Sequence, residues 1–248
     1  MHKCFWIWKT ELKLLFFTPL ATLLGIAFYS VQGILFWYVL NQANSGKEAV
    51  QAGILQSITG GIVFWLTLWI LVPALTMRLV AFEAEIETLP HLFTTSVKTW
   101  QITLGKFFAA LSFYFFLWLP TSGYYGVLAL YSKIDTGAAF SAYLGLLLVG
   151  AFTLSIGFWV SSFCRNQITA SLGTFFALLG ILVVCMCEGL LGASFGKELL
   201  LYLNYIEHHV PFSEGIVDSR DIVYFVTGTV FFLFATNETL DWKRSRHG

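Results

Sequence analysis

The feature that most constrains this chain is a series of long apolar segments without a charged side chain. Residues 19–40, 52–77, 107–131 and 136–164 contain no Asp, Glu, Lys or Arg. About 20 apolar residues in an α-helix cross a hydrocarbon core of about 30 Å. Only helices and closed barrels satisfy their backbone hydrogen bonds in lipid, and these segments lack the alternation of barrel strands. They therefore predict transmembrane helices.

Two further apolar segments complete the predicted fold. Residues 167–188 end in Glu188, and residues 222–238 form a shorter segment near the C-terminus. Only 11% of the residues are charged and 57% are hydrophobic, whereas soluble domains carry about 25% charged residues. We therefore predict an all-α membrane protein with six transmembrane helices in a single domain over residues 1–248. The formal net charge of +0 gives no electrostatic reason to expect a nucleic-acid partner.

The residues before the first span, 2–17, mix charged and aromatic side chains. Lys9, Glu11 and Lys13 interrupt what would be the apolar region of a cleavable signal peptide. Tryptophans in this stretch suit the headgroup region of a bilayer. The pattern predicts a helix that lies along the membrane surface. The alternative is a positively flanked extension of the first span.

Lys and Arg are distributed unequally between the two sides of the predicted bundle. With six spans, both termini lie on the same side. That side holds Lys3, Lys9, Lys13, Arg78, Lys98, Lys106, Arg165, Lys243, Arg244 and Arg246, and the other side holds Lys47, Lys133, Lys197 and Arg220. Because cytoplasmic loops carry an excess of basic residues, we predict that both termini are cytoplasmic.

Two polar segments separate the spans. Residues 73–106, between the second and third spans, combine helix-forming residues with a cluster of charges. A charged helix in so apolar a chain indicates a partner in water, and an ordinary solvated loop is the alternative. On the other side, residues 188–221 are predicted to form a structured cap. The polar residues of this extracytoplasmic loop that we single out are Glu188, His208, His209, Asp218, Arg220 and Asp221.

The motifs of several kinds of enzyme are missing. Each Gly-Lys pair, at 46–47, 105–106 and 196–197, is followed by Glu or Phe rather than by the Ser or Thr of a nucleotide-binding loop. HExxH is also absent. Adjacent histidines such as His208 and His209 point apart on a helix and are poor joint metal ligands. The sequence therefore predicts no catalytic, cofactor-binding or metal-binding residue, and the energy for any transport must come from elsewhere.

Short motifs, in order along nearly the whole chain, resemble those of one family. They are Lys9-Thr10-Glu11-Leu12-Lys13 before Thr18-Pro19, VPALTMRL at 72–79, Gly105-Lys106-Phe107, SSFCRNQ at 161–167 and VDSRDIVYF at 217–225. With these motifs the chain resembles the membrane subunit, or permease, of type-2 ABC transporters. Within that group it is similar to the permeases of gliding-motility and nitrous-oxide-reductase-maturation systems.

The resemblance implies a mechanism in which another protein hydrolyses ATP. Two permease copies, or a copy and a homologue, would pair above two ABC ATPase subunits that bind ATP and Mg. Residues 79–98 would form a coupling region seated in the ATPase, and its movement would shift spans 1, 2 and 5 around a central pathway. The residues assigned to this ATPase coupling are Arg78, Glu83, Glu85, Glu87, Thr88 and Arg165.

The coupling region departs from the family pattern. The family typically has Ala-Glu-Glu, then basic residues, then Gly-Thr, whereas this chain reads AFEAEIET at 81–88. Glu87 stands where a glycine is usual. We hypothesise that Glu83, Glu85 and Glu87 face basic groups of a dedicated ATPase. Arg165 would make a second contact, with the ATPase or with lipid phosphates, unless it only anchors its loop on the cytoplasmic side.

The leading function is therefore a non-catalytic permease subunit, an exporter by resemblance, in the bacterial cytoplasmic membrane. The alternative is a scaffold that tethers an ATPase to a periplasmic machine and transmits force without moving a substrate. The permease and scaffold hypotheses imply two further partners, a periplasmic accessory protein and membrane lipid. An intramembrane enzyme is disfavoured because polar residues do not converge at depth.

Overall fold

The computed structural model describes residues 2–44, 58–86, 97–131, 136–186 and 202–247. Within these ranges the chain forms helices, turns and irregular segments but no strand. The helices are α1 His2–Phe16, α2 Pro19–Asn44, α3 Ile62–Thr76, α4 Ala81–Glu85, α5 Thr99–Trp118, α6 Ser122–Tyr131, α7 Thr136–Phe163, α8 Gln167–Met186, α9 Val210–Ser213 and α10 Ser219–His247. A 3₁₀ turn, Leu119–Thr121, joins α5 to α6.

Six of the described helical segments are long and apolar enough to cross a membrane. They are built on α2, α3, α5, α7, α8 and α10, and the second of them runs from α3 through α4 as Ile62–Glu85. This result confirms the predicted all-α membrane fold with six spans. The second predicted span began at residue 52, but residues 52–57 lie outside the described residues.

Two spans extend beyond the apolar limits read from the sequence. The third was predicted to start at residue 107, but α5 begins at Thr99 and so includes Lys106 within the helix. The sixth was predicted over 222–238, but α10 runs Ser219–His247 and so adds polar residues at both ends. A charged side chain does not end a helix when another element supplies its partner, and both extensions have such partners.

Helix α7 lies at the centre of the bundle and contacts α3, α5, α8, α9 and α10. Its glycines allow close approach. A Cβ atom at Gly157 would lie 2.6 Å from the Oγ1 atom of Thr76 and 2.8 Å from the Cγ2 atom of Thr174. Gly157 therefore sets the spacing of α7 against both α3 and α8, as small residues do between helices in lipid.

The polar segments sort to opposite ends of this bundle. At one end, Nη1 of Arg244 near the end of α10 donates to the carbonyl oxygen of Val97, at 2.8 Å, just before α5. At the other end, His209 Nε2 donates to the carbonyl oxygen of Thr59, at 2.7 Å, just before α3. The first contact places the start of α5 beside the end of α10. The second places His209 beside the start of α3 at the opposite end. This is the arrangement that six membrane crossings require.

Candidate functional site

A buried lysine joins three elements at the end of the bundle that holds the start of α5. Lys106 Nζ lies 2.7 Å from Glu11 Oε1 on α1 and 2.6 Å from Glu83 Oε1 on α4. Its side chain is 2% exposed. We call Glu11, Glu83 and Lys106 the lysine triad. Charge-assisted hydrogen bonds of this length are among the strong ones, and the lysine needs carboxylate partners because a buried cation without any is very costly.

Helix α1 reaches the triad because it packs closely along α5. A Cβ atom at Gly105 would lie 2.8 Å from Ile7 Cγ2 and 3.3 Å from the carbonyl oxygen of Cys4. Trp8 Nε1 donates to Ser112 Oγ at 3.1 Å. Several apolar side chains of α1 remain exposed: Phe5, Trp6 and Leu14. One face of α1 thus packs against α5. Another face exposes apolar side chains, which is typical of a helix that lies along a bilayer surface.

The short helix α4 is fixed to the chain at both of its ends. The backbone N–H of Ala81 donates to Ser161 Oγ at 3.2 Å, near the end of α7. Glu85 Oε2 accepts from the backbone N–H of Gln167 at 3.1 Å and from its side-chain Nε2 at 3.2 Å. The carboxylate therefore satisfies a free N–H group at the start of α8, where a negative charge also complements the helix dipole.

The structure gathers the described members of the predicted coupling set at one end but gives them different surroundings. Glu83 turns inward to Lys106, and Glu85 is exposed and bound to Gln167. Arg165 is exposed in the turn between α7 and α8. The Arg78 guanidinium lies 5.1 Å from the ring centre of Phe82. Glu87 and Thr88 lie outside the described residues.

Two members of the site, Glu11 and Lys106, were missed as partners in the sequence analysis. Lys106 was counted among the basic residues of one side and in the motif Gly105-Lys106-Phe107. Glu11 was noted as a break in an apolar stretch and in the motif that begins at Lys9, and neither residue was assigned a partner. Lys106 is separated from Glu11 by 95 residues and from Glu83 by 23. The sequence did offer one signal of a buried ion pair. A single lysine stands between Gly105 and Phe107, at the start of a long apolar segment.

At the opposite end, His209 is sealed inside the bundle. Its side chain is buried and stacks on the ring of Phe64 at 5.1 Å, with Trp65 at its edge. Burial lowers the pKa of His209 to about 4, against which its hydrogen bond to the carbonyl of Thr59 acts weakly. His209 is therefore neutral near pH 7 and acts as an uncharged hydrogen-bond donor that fixes the cap to α3.

The other predicted residues of the extracytoplasmic loop serve the start of α10. His208 Nδ1 lies 2.6 Å from Asp221 Oδ1, and its Nε2 lies 3.0 Å from the carbonyl oxygen of Tyr202. The Arg220 backbone N–H donates to Asp218 Oδ1 at 2.9 Å. Across the described ranges, His, Cys, Asp and Glu side chains nowhere gather in threes that could hold a metal ion. Glu188 lies outside those ranges.

The chain matches a known protein family. The family model described as ABC-2 type transporter matches residues 2–187, about three quarters of the chain. The matched region includes all of the lysine triad and five of the six candidate spans. A comparison with curated proteins finds no match.

Proposed function

The chain belongs to the ABC-2 type transporter family and is a multi-pass permease component, and from that premise we propose that it couples a separate ABC ATPase to export. ATP and Mg bind to the ATPase, which docks at the end of the bundle that carries the lysine triad. That end faces the cytoplasm of a bacterial cell with both termini, and two permease copies form the working unit.

The lysine triad is the observation that carries this proposal. It ties α4, the element predicted to meet the ATPase, to α1 and α5 through one buried cation. In surroundings of low effective dielectric, separating such charges costs far more than it does in water. A displacement of α4 therefore moves α1 and α5 with it, and the bond of Glu85 to Gln167 passes the same displacement to α8.

The exposed groups beside the triad form the proposed contact surface for the ATPase. They are Glu85 and Ile86 at the end of α4 and Arg165 in the neighbouring turn. Glu87 and Thr88 stay in this surface as predictions. Glu83 has a different role in this proposal, because its carboxylate binds Lys106 and so acts within the permease rather than on its partner.

Photo-crosslinking in cells tests the contact surface. A photoreactive amino acid replaces Ile86 or Arg165, and replaces Phe140 as the control, because Phe140 is exposed at the other end of the bundle. We expect positions 86 and 165 to capture a polypeptide that mass spectrometry identifies by its GxxxxGK[ST] motif. Failure to capture such an ATPase from either position, or equal capture from position 140, would contradict the proposal.

One observation favours the alternative function, an ATPase-tethered scaffold. The cap between α8 and α10 exposes apolar side chains at Tyr202, Leu203, Ile216 and Val217, and exposed apolar patches often mark interaction sites. The two functions separate in vesicles that contain the permease and its ATPase. An exporter accumulates a labelled candidate substrate when ATP is present, whereas a scaffold hydrolyses ATP without moving any.

A further inference from the structure

A cavity of about 380 Å³ opens between the end of α1 and the corner that leads from α3 into α4. Its walls combine apolar side chains, among them Leu14, Leu15 and Phe82, with the charged groups of Glu11, Arg78 and Glu83. Thr18, just before the first span, also borders it. The cavity therefore lies where α1, which the sequence predicts to lie along the membrane surface, meets a candidate membrane span, and lipid headgroups are expected at such a place.

The charges of this cavity are unevenly satisfied. Glu11 and Glu83 each give one oxygen to Lys106 and keep 18% and 20% of their side chains exposed. Within the part of the chain that the structure describes, the Arg78 guanidinium makes only a cation–π contact, 5.1 Å from the Phe82 ring centre. A guanidinium held flat on a ring still presents N–H groups along its edge, and these match two oxygens of a phosphate.

We propose that this cavity binds the headgroup of one zwitterionic aminophospholipid, with its phosphate on Arg78 and its ammonium group towards Glu11 and Glu83. The formal charges of Glu11, Glu83, Lys106 and Arg78 sum to zero, so a headgroup that is itself neutral overall fits better than a purely anionic one. An ammonium group donates hydrogen bonds to carboxylates, whereas the trimethylated choline group has no N–H to donate.

The surroundings of the cavity favour a lipid over a soluble ligand. Leu14 and Ile86, which line the cavity, are exposed by 61% and 49% of their surfaces. Apolar groups beside a membrane span meet acyl chains rather than water, and basic pockets between spans on the cytoplasmic side bind lipid headgroups. The assignment replaces the expectation that Arg78 contacts the ATPase directly, and it rests on the membrane fold rather than on ATPase coupling.

Lipid retention tests the site in the purified full-length permease. The protein is reconstituted in vesicles of equal parts phosphatidylethanolamine, phosphatidylglycerol and phosphatidylcholine, extracted in mild detergent, and weighed by native mass spectrometry. We expect about one phosphatidylethanolamine per chain to be retained in preference to phosphatidylcholine. Arg78→Gln should reduce this retention about tenfold, because a charge-assisted pair is lost. Lys9→Gln removes an exposed cation of α1 that does not line the cavity and should leave retention unchanged.

Two further arms keep the test decisive if Arg78→Gln folds poorly. A phosphatidylethanolamine with a photoreactive group near its headgroup, added to the unaltered protein, should label peptides that contain residues 11–18 and 78–86. Excess inorganic phosphate should not displace the retained lipid. The proposal is overturned if the unaltered protein retains no lipid, if it holds phosphatidylcholine equally well, if labelling falls elsewhere, or if free phosphate displaces the lipid.

Discussion

Lys106 concentrates the energetics of the joint between α1, α4 and α5 in one side chain. It is almost completely buried, and both of its partners come from other helices. A buried ion pair contributes little net stability against an apolar replacement, yet removal of one member leaves uncompensated charge. The triad therefore specifies how α1, α4 and α5 pack together. Replacing one of its members should destabilise the protein much more than replacing all three.

Lys106→Met should destabilise the permease strongly. The change leaves the carboxylates of Glu11 and Glu83 close together without their cation, at a cost of about 3–5 kcal/mol. The triple change Glu11→Gln, Glu83→Gln, Lys106→Met removes all three charges and should recover most of that loss. Thermal unfolding in detergent measures both variants. Lys9→Met is the control, because Lys9 is exposed, and equal effects of Lys9→Met and Lys106→Met would refute the assignment.

His209 should make the fold sensitive to acid. Its pKa is lowered from 6.5 to about 4 in the folded chain, so the unfolded chain binds a proton at a higher pH than the folded chain does. Stability is complete above pH 6.5 and falls as the pH drops towards 4, by at most roughly 3 kcal/mol. The groups that contact it in the described structure are rings and a backbone carbonyl, which do not titrate.

Thermal unfolding between pH 7 and pH 4 checks this sign. His209→Gln keeps a donor for the carbonyl of Thr59 but cannot be protonated, so its stability should fall less across that interval than that of the unaltered protein. His208→Gln is the control for the neighbouring ring, which pairs with Asp221. A His209→Gln variant whose acid sensitivity matches that of the unaltered protein would show that other groups cause it.

At the scale of elements, α7 acts as the spacer of the bundle. Its glycine at 157 admits Thr76 of α3 and Thr174 of α8, and Ser161, one turn later, receives the N–H of Ala81. The corner from α3 into α4 is thus seated on α7. This contact holds α4 where Glu83 reaches Lys106 and Glu85 reaches the start of α8.

Gly157→Ala should separate these helices. The added methyl group has no space between two short, stiff threonine side chains, and overpacking of this kind costs about 1–3 kcal/mol. Gly25→Ala in α2 is the matched control, since a Cβ there meets nothing within 4 Å and alanine is the better helix former by about 1 kcal/mol. Unfolding midpoints that move in the same direction for both variants would contradict the packing account.

The position of a helix was predictable from the sequence where hydrophobicity alone determines it. It was less predictable where contacts with distant residues determine it. Six apolar segments gave six spans because lipid leaves the backbone no other arrangement. The start of α5 at Thr99 was not predictable from the charge of Lys106, since that charge is tolerated only through carboxylates distant in sequence. The inward turn of Glu83 and the burial of His209 against Phe64 depend equally on packing between distant elements.

At the scale of the whole molecule, the two ends of the bundle have opposite characters. One end carries the triad, α4 and the exposed Arg165. The other is closed by the cap, in which His209 and Phe212 are fully buried. In the dimer that we propose, the ATPase binds at the first end, and ATP changes the distance between the two copies at the second end.

Single cysteines should report this orientation in intact cells. In a variant without native cysteines, a cysteine at position 216 should react with a membrane-impermeant maleimide, because Ile216 is exposed in the cap. A cysteine at position 165 should react only after the cells are permeabilised. The reverse pattern would invert the topology and place the ATPase surface outside the cytoplasm.

The most direct test of the central claim asks whether ATP-driven movement needs the lysine triad. Spin labels at residue 140 of two permease copies, in a complex with the ATPase, report the distance between the outer ends by pulsed electron paramagnetic resonance. We predict an ATP-dependent change in that distance for the intact triad. The uncharged triple variant should show no such change while still binding the ATPase and hydrolysing ATP. A triple variant that responds to ATP as the unaltered permease does would contradict the account.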